Sequence, residues 1–380
     1  MTGKTTSNPN SWTTARDTTL DRLARSVVDQ KAAPAAVCAA ARRTNQGWEC
    51  GVGAAGTHWP ISLRPVTPDT VFDLASLTKP VIAVAAATES CRGRLSWELQ
   101  LKEALPELTS TYAGEATLEQ IFSHRAGLLP HIELFGPPRA GRPASIKEML
   151  QRAAKGAAPN SQDVHNANAA VYSDLGYVLA GAAIQRRAGV PLDVWLSGVI
   201  PDTLVALGSA RTWLCQKQGF RVRCAPTEVV PWRGGLVWGR VHDENAWLMG
   251  GFGCSGHAGL FGTATGVARF GAAVLDALLG FPSEIPHSAA VLSTLRRRGG
   301  SLRAGFDGAT NPGSTAGCSA SSDSFGHLGF TGTSLWCDPD RSIVTVVLSN
   351  RVCPSRSNIA LRGLRAGLHE FLLQWAKAGN

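Results

Sequence analysis

Two pairs of apolar runs, one near each end of the chain, restrict most strongly what this sequence can fold into. Near the N-terminus, PAAVCAAARR and GWECGVGAAG are joined by Thr44-Asn45-Gln46-Gly47, which is typical of a hairpin turn. Near the C-terminus, TSLWCDP and SIVTVVLSNRV are turned by Asp338-Pro339-Asp340-Arg341, and an amphipathic helical pattern follows. Strand pairs at both ends predict one sheet assembled from the two termini.

The middle of the chain has a helical rather than a strand-like pattern of apolar residues. Helical patterns occur in TLEQIFSHRAGL, SIKEMLQRAAKG and LGYVLAGAAIQRRAG, separated by loops rich in Pro, Gly and Asn. Strands around a helical middle favour an α/β fold, in which helices flank an antiparallel sheet and a mainly helical region is inserted. The predicted parts are a flexible tail over residues 1–17, a sheet domain over 18–105 and 215–380, and a helical region over 106–214.

Composition and charge exclude several classes of protein. The 380-residue chain is 44% hydrophobic and 17% charged, which is the balance of a globular protein. Its net charge of +9 comes from scattered Lys and Arg, and no basic block is longer than Arg296-Arg297-Arg298. We therefore expect no nucleic-acid partner.

Signals for export or membrane insertion are not visible in the sequence. The opening MTGKTTSNPNSWTTARD lacks the apolar stretch of a signal sequence, and no segment reaches the roughly 18 apolar residues of a membrane span. The nine cysteines are an odd number without a Cys-x-x-Cys pair, which favours buried free thiols. These features predict a cytoplasmic protein without a membrane partner.

The first candidate for chemistry is FDLASLTKP, in which Ser76 precedes Lys79 by three positions. At the start of a helix this spacing places both side chains on one face, and a Lys with a lowered pKa can take the serine proton. Pro80 fits only the first turn and disfavours α geometry at Lys79, so we expect the helix to begin close to Ser76 with some strain. Chance supplies a Ser-x-x-Lys about once in such a chain, so the motif alone is weak.

Two later segments are candidates of similar strength. Tyr172-Ser173-Asp174 stands just before a helical pattern, and taken alone the segment favours Ser173 or Asp174 as an N-cap. GHLGFTGTSLW places His327 and small residues ahead of a strand, which lets another backbone or a ligand approach closely. A glycine bulge explains the second segment equally well.

Metal chemistry and other hydrolase motifs find little support. His242-Asp243-Glu244 could contribute metal ligands, but an isolated cluster is more typical of a structural or pocket-lining group. The sequence has no Gly-x-Ser-x-Gly elbow and no His-Glu-x-x-His. We therefore expect neither a metal nor a cofactor.

In this order the three motifs resemble the pattern of the penicillin-recognising serine hydrolases, with Ser-x-x-Lys early, Tyr-x-Asp/Asn in the middle and Lys/His-x-Gly on a late strand. The resemblance runs from about residue 18 to the C-terminus and includes TLEQIFSHRAGLLPH, VHDENAWLMGG and VLSNRV. Class C β-lactamases, low-molecular-weight penicillin-binding proteins and family VIII carboxylesterases are the members it resembles. The resemblance implies a β-lactamase/transpeptidase-like fold.

The resemblance also implies roles for the first two motifs. Ser76 would be the acylated nucleophile, and Lys79 and Tyr172 would carry its proton. Asp174 stands where many members have Asn and would orient Lys79 or the substrate. A carboxylate there could also hold Lys79 charged, which weakens it as a base.

The third motif bears on the substrate. The resemblance implies an oxyanion hole formed by the backbone N–H groups of Ser76 and of Phe330, the residue after His327-Leu328-Gly329. Most β-lactamases have Lys-Thr-Gly or Lys-Ser-Gly here, and that ammonium and hydroxyl hold a substrate carboxylate. A mostly neutral His327 and a Leu328 without a hydroxyl weaken both contacts.

We therefore predict a serine hydrolase that acts through an acyl-enzyme on Ser76, with small neutral esters or amides as substrates. The first alternative is a β-lactamase or D,D-peptidase, including a transpeptidase-like acyltransferase, acting on β-lactams or D-alanyl peptides. The second is a non-catalytic β-lactam-binding sensor, which would keep a stable acyl adduct on Ser76.

Overall fold

A nine-stranded sheet organises the chain in the computed structural model, which describes residues 11–134, 145–156, 170–201, 220–250, 253–310 and 313–378. The strands are β1 (Trp12–Arg16), β2 (Ala35–Thr44), β3 (Gly47–Gly56), β4 (Phe72–Asp73), β5 (Val229–Val230), β6 (Gly235–Leu236), β7 (Phe261–Gly262), β8 (Arg298–Gly299), β9 (Leu302–Arg303), β10 (Asp307–Gly308), β11 (Phe325–Gly329), β12 (Thr333–Asp338) and β13 (Ile343–Ser349). The sheet order is β1-β3-β2-β13-β12-β11-β10-β9-β8, and β4 with β7 and β5 with β6 form two small sheets.

Helices cover both faces of the sheet and fill the middle of the chain. They are α1 (Thr18–Asp29), α2 (Thr78–Cys91), α3 (Leu101–Ala104), α4 (Leu118–Phe122), α5 (Ile146–Lys155), α6 (Asp174–Ala188), α7 (Leu192–Ser197), α8 (Phe220–Arg223), α9 (Glu244–Gly250), α10 (Ala264–Leu279), α11 (Ser288–Arg296) and α12 (Ala360–Ala378). Short 3-10 turns span Ala75–Leu77, Pro106–Leu108, Tyr112–Glu115 and Pro231–Arg233.

The two ends of the chain meet at the centre of the sheet. Strands β2 and β13 pair antiparallel from Ala36 opposite Ser349 to Arg42 opposite Ile343. The expected hairpin is present, because β2 and β3 pair up to Thr44 opposite Gly47. The prediction of an α/β fold with a sheet built from both termini is confirmed, and the described strand pairs of this sheet are antiparallel except for β1 with β3.

One edge of the sheet corrects the predicted tail. Residues Trp12–Arg16 form β1, which pairs parallel with β3 from Trp12 opposite Trp48 to Arg16 opposite Val52. The prediction of a flexible tail over 1–17 is therefore wrong for these five residues. An edge strand with mostly exposed side chains needs no apolar alternation, so the sequence pattern did not show it.

The central strands are buried on both faces. Alternate residues of a strand point to opposite sides, so each face of β2 joins a different apolar cluster. One cluster includes side chains of α2 and α10, and the other includes side chains of α1 and α12. The residues of β2 in the first cluster are Ala35, Val37, Ala39 and Ala41, and those in the second are Ala36, Cys38 and Ala40.

Helix α2 lies in the interior. Every residue from Thr78 to Glu89 is buried, and the helix is apolar on nearly all sides. A helix without a polar face is typical of a core helix rather than a surface one. Lys79 is thus a charged residue on a helix surrounded by protein.

Two predictions from composition can be compared with the structure. Within the described ranges no two cysteines form a disulfide. Cys91 and Cys318 are exposed and the other six described cysteines are buried, whereas Cys215 lies outside the described residues. Within the described ranges, none of the helices combines the length and the apolar character needed to cross a bilayer.

The packing of α1 on β3 generates a stability prediction. A Cβ at Gly53 would overlap the backbone of Leu20 and Asp21, so this glycine allows the close approach of helix and strand. Gly53→Ala should lower the free energy of unfolding by about 1–3 kcal/mol, measured by urea denaturation. Gly363→Ala in α12 is the matched control, because a Cβ there meets no atom within 4 Å, and it should not destabilise. Equal losses in the two variants would contradict the close contact.

Candidate active site

The Ser76 turn is held in a strained conformation. Ala75 has φ +47°, a left-handed value that is costly for a residue with a Cβ. The Asp73 carboxylate stabilises the turn, because one oxygen accepts the N–H of Ala75 at 2.8 Å and the other accepts the N–H of His242 at 2.7 Å. Ser76 follows in a 3-10 turn, half-buried, and this turn leads into α2.

The helix start differs in detail from the expectation. The α-helix begins at Thr78, and Lys79 is helical although Pro80 follows it. Pro80 is the third residue of the helix, where a backbone N–H would have no partner within the helix in any case. The strain lies before Ser76, at Ala75, rather than at Lys79.

The end of strand β11 contacts the same turn. A Cβ at Gly329 would overlap Thr333 and approach the Leu74 carbonyl oxygen, so only glycine fits there. The Thr333 hydroxyl donates to that carbonyl at 3.0 Å, and the Thr331 hydroxyl donates to the Asp73 carbonyl at 2.8 Å. Phe330, which carries the second expected oxyanion N–H, is therefore anchored on both sides to the segment that precedes Ser76.

Lys79 joins the first two motifs. Its side chain is fully buried, and its Nζ donates to Ser76 Oγ at 2.9 Å, to Asp174 Oδ1 at 2.6 Å and to the His257 carbonyl oxygen at 3.4 Å. Asp174 is the first residue of α6, where a carboxylate is favoured by the helix dipole. Two residues 95 positions apart thus form one buried ion pair.

The ion pair keeps both partners charged. Burial alone would lower the pKa of Lys79, but the Asp174 carboxylate and Tyr172 outweigh it, so the pKa of the Lys79 ammonium is raised. Burial would likewise raise the pKa of Asp174, but the Lys79 charge and the nearby His131, whose Nδ1 lies 3.7 Å from Asp174 Oδ2, hold that pKa well below its usual range. Lys79 therefore carries its proton at neutral pH, as a carboxylate at position 174 implied.

Tyr172 lies over the same ammonium. Lys79 Nζ is 4.8 Å from the centre of the Tyr172 ring, and the hydroxyl interacts with Lys79 and Ser76. Burial raises the pKa of this hydroxyl, and the Lys79 charge offsets only part of the rise. The structure thus brings Ser76, Lys79, Tyr172 and Asp174 together.

Two neutral histidines flank the Tyr172 ring. His124 stacks on it with ring centres 4.8 Å apart, and the His327 ring lies 5.8 Å away. Burial, assisted by the Lys79 charge, lowers the pKa of each to about 3. His124 Nδ1 accepts the N–H of Ser173, which fixes the segment that carries Tyr172. The sequence reasoning assigned no role to His124, although it lies within the quoted TLEQIFSHRAGLLPH.

His327 faces the site without a charge. Its Nδ1 lies 2.8 Å from the Leu328 carbonyl oxygen, and because a carbonyl only accepts, Nδ1 carries the ring hydrogen. The neutral ring therefore presents an unprotonated Nε2. Leu328 packs against the apolar cluster beneath α1 and α12, so its side chain belongs to the opposite face of β11.

The His242-Asp243-Glu244 segment is a structural neighbour of the site. His242 Nε2 lies 2.9 Å from a Glu228 carboxylate oxygen, and its ring stacks on Phe330 with centres 5.9 Å apart. Asp243 lies 2.9 Å from His257 Nε2. Among the described residues, no group of three His, Cys, Asp or Glu side chains could hold a metal ion.

This arrangement suits acyl transfer. The Ser76 hydroxyl contacts the Lys79 ammonium and the Tyr172 phenol, and Lys79 can accept the serine proton once it has lost its own. The backbone N–H groups of Ser76 and Phe330 come directly after the strained Ala75 and the end of β11. The sequence model of the family described as "Beta-lactamase" matches residues 20–369. This chain belongs to the beta-lactamase family.

Proteins similar to this chain have names that describe different activities. A putative D-alanyl-D-alanine carboxypeptidase of Escherichia coli (strain K12) is 26% identical over 315 residues, which cover 75% of this chain and 70% of that protein. The structure of EstCE1, a hydrolase with promiscuous acyltransferase activity, aligns with a TM-score of 0.65 at 18% identity over 93% of this chain and 98% of the other. A class C beta-lactamase from Rhodobacter sphaeroides aligns with a TM-score of 0.65 at 19% identity over 95% and 100%. These structures share the fold of this beta-lactamase family member.

The charge state of Lys79 generates a prediction about Ser76. Asp174→Asn keeps the shape of the side chain but removes the carboxylate that raises the pKa of Lys79, so this pKa should fall. A larger fraction of Lys79 is then unprotonated at a given pH. The midpoint of the pH profile for fluorophosphonate labelling of Ser76 should therefore lie about one unit or more below that of the wild type. Glu49→Gln, at an exposed carboxylate of β3, is the control. An unchanged pH profile in Asp174→Asn would show that Lys79 does not control Ser76.

Proposed function

We propose that this protein is a serine hydrolase of the esterase type, which acts on small neutral esters or amides through an acyl-enzyme on Ser76. The observation that carries the substrate preference is the neutral His327, whose only ring hydrogen is directed to the Leu328 carbonyl. The nucleophile is supported by the 2.9 Å contact between Lys79 Nζ and Ser76 Oγ.

In the proposed reaction, Lys79 is in its unprotonated amine form. Ser76 Oγ attacks the substrate carbonyl carbon, and its proton passes to the Lys79 amine, directly or through the Tyr172 hydroxyl, which takes the serine proton as it gives its own to Lys79. The carbonyl oxygen becomes an oxyanion that accepts the N–H groups of Ser76 and Phe330. The C–O or C–N bond of the substrate then breaks, and the leaving group takes the transferred proton. Water releases the acyl group from Ser76 by the same steps, with the two proton carriers in reversed roles.

Lys79 must lose its extra proton before it can accept one from Ser76. The ion pair with Asp174 opposes this loss, and the raised pKa of Tyr172 keeps the phenol neutral. Turnover should therefore increase as the pH rises above neutrality, because the fraction of unprotonated amine increases.

A substrate carboxylate would find no donor at His327. The ring hydrogen is already bonded to a backbone carbonyl, and Nε2 presents a lone pair that repels an anion. A neutral acyl group needs no charged donor at this position and is not repelled by the Nε2 lone pair. This favours esters and amides over β-lactams and D-alanyl peptides, the substrates of the alternative that the name of the Escherichia coli relative supports.

A substrate screen tests this proposal. Purified protein is assayed with p-nitrophenyl butyrate, nitrocefin and a peptide ending in D-Ala-D-Ala, and we expect turnover of the ester to dominate. Ser76→Ala should abolish it, and Lys79→Ala and Tyr172→Phe should each lower kcat by about 100-fold or more. Strong nitrocefin or peptide turnover with negligible ester turnover would favour the β-lactamase or D,D-peptidase alternative. A persistent acyl adduct in intact-protein mass spectrometry would favour the sensor.

The role of His327 in selectivity can be measured separately. His327→Lys introduces an ammonium at the position that binds the substrate carboxylate in related enzymes, and it should raise kcat/KM for an anionic substrate relative to a neutral ester by about 10- to 100-fold. Leu328→Thr is the comparison, because Leu328 packs on the opposite face, and it should leave this ratio unchanged. The reverse result would assign selectivity to Leu328 instead.

A further inference from the structure

The buried face of helix α12 contains an arginine. Leu361, Leu368 and Leu372 lie on this face and join the apolar cluster against the sheet. Arg365 occupies a position of the same stripe, four residues after Leu361 and three before Leu368. Only 7% of Arg365 is exposed, so the guanidinium has been removed from water at a place where an apolar residue would satisfy the pattern.

Arg365 has backbone oxygens as its partners. Its Nη2 donates to the Gly329 carbonyl oxygen at 2.9 Å and is 3.4 Å from the Thr333 carbonyl oxygen, whereas its Nε has no partner. None of the ion pairs between described residues includes Arg365. Burial, with Arg351 and Arg362 nearby, lowers its pKa to about 10, so the guanidinium remains charged at neutral pH. A buried cation without a carboxylate is costly, and its retention requires a reason.

The carbonyl that Arg365 contacts belongs to the peptide group of the oxyanion hole. The Gly329 carbonyl and the Phe330 N–H are the two ends of one trans peptide, and they point in opposite directions. A cation at the oxygen end orients this plane and draws electron density from the nitrogen, which strengthens the N–H as a donor. The positive charge also lies behind the position where a negative oxygen forms.

A second arginine acts on the same residue. The Arg351 guanidinium lies 4.6 Å from the centre of the Phe330 ring, and its Nη1 donates to the carbonyls of Asn358 at 2.7 Å and Arg356 at 3.3 Å. Arg351 is 2% exposed, and it too takes part in none of the ion pairs of the described chain. Phe330 is therefore held through its side chain as well as through its peptide.

We infer that Arg365 is a positioning residue for oxyanion stabilisation, which fixes and polarises the Gly329–Phe330 peptide so that its N–H faces the oxygen formed during acylation of Ser76. This inference rests on the proposed acyl-enzyme function. On the buried face of α12, the leucines therefore attach the helix to the sheet, whereas Arg365 supports the reaction.

The test compares Arg365→Met and Arg365→Lys with the wild type. With p-nitrophenyl butyrate, Arg365→Met should lower kcat by about 10- to 100-fold with KM nearly unchanged, because the lost interaction is made mainly in the transition state. Binding of phenylboronic acid, which forms a tetrahedral adduct with Ser76, should weaken by a similar factor. Arg365→Lys should recover part of both losses, because it keeps the cation. Arg362→Met, at an exposed arginine of the same helix, should change neither.

Several outcomes would overturn the inference. If Arg365→Met has a lower melting temperature but unchanged kcat and boronic acid affinity, Arg365 is only a structural residue. The same conclusion follows if the whole loss of kcat/KM comes from a higher KM. If Arg365→Met does not fold, Arg365→Gln decides, because it removes the charge but keeps a hydrogen-bond donor; wild-type kcat and wild-type boronic acid affinity in that variant would overturn the inference. If the wild type hydrolyses no ester, the proposed function fails, but the rate of fluorophosphonate labelling of Ser76 in the same variants still tests Arg365.

Discussion

The buried ammonium of Lys79 is the interaction on which the rest of the site depends. An isolated cation inside a core helix would be strongly unfavourable, and the Asp174 carboxylate at the start of α6 offsets this cost. This contact ties the helical region to α2, which packs among the apolar side chains beneath the sheet. It also places Tyr172, two residues before Asp174, against the same nitrogen. The Asp174 carboxylate, which keeps Lys79 protonated and so limits it as a base, therefore also holds the site together.

The second constraint is the close contact between backbones. The turn before Ser76 is strained at Ala75, and the Asp73 carboxylate, the Thr333 hydroxyl and the missing side chain of Gly329 hold it against the end of β11. Strand β11 lies inside a sheet that both termini build and is paired with β12 from Phe325 opposite Cys337 to Gly329 opposite Thr333. The relative position of the two expected oxyanion donors is therefore set by this sheet. Strain at a nucleophile persists only when its surroundings determine it this strongly.

The sequence predicted those features that local patterns encode. The β2–β3 hairpin followed from apolar runs and a turn, and the three motifs placed Ser76, Asp174 and His327 at one site because the resemblance supplied their order. Strand β1 was missed, since an exposed edge strand shows no apolar alternation. Asp73, His124 and Arg365 were also missed, because their partners lie far away in the sequence or are backbone atoms. A polar residue at a buried position of an apolar stripe was the one available signal for Arg365.

The distribution of charge around Ser76 favours a transition state over a charged substrate. Lys79 and Asp174 largely cancel one another, and the two histidines beside Tyr172 are neutral. Among the described residues, Arg365 is a positive charge without a carboxylate partner behind the Phe330 peptide, where it contacts the Gly329 carbonyl. The N–H at the other end of this peptide would face the oxygen of the substrate carbonyl that gains negative charge, and His327 offers no matching donor to a carboxylate in the ground state. Stabilisation that exists only in the transition state raises kcat rather than binding, so this distribution of charge agrees with the proposed acylation of Ser76 by neutral substrates.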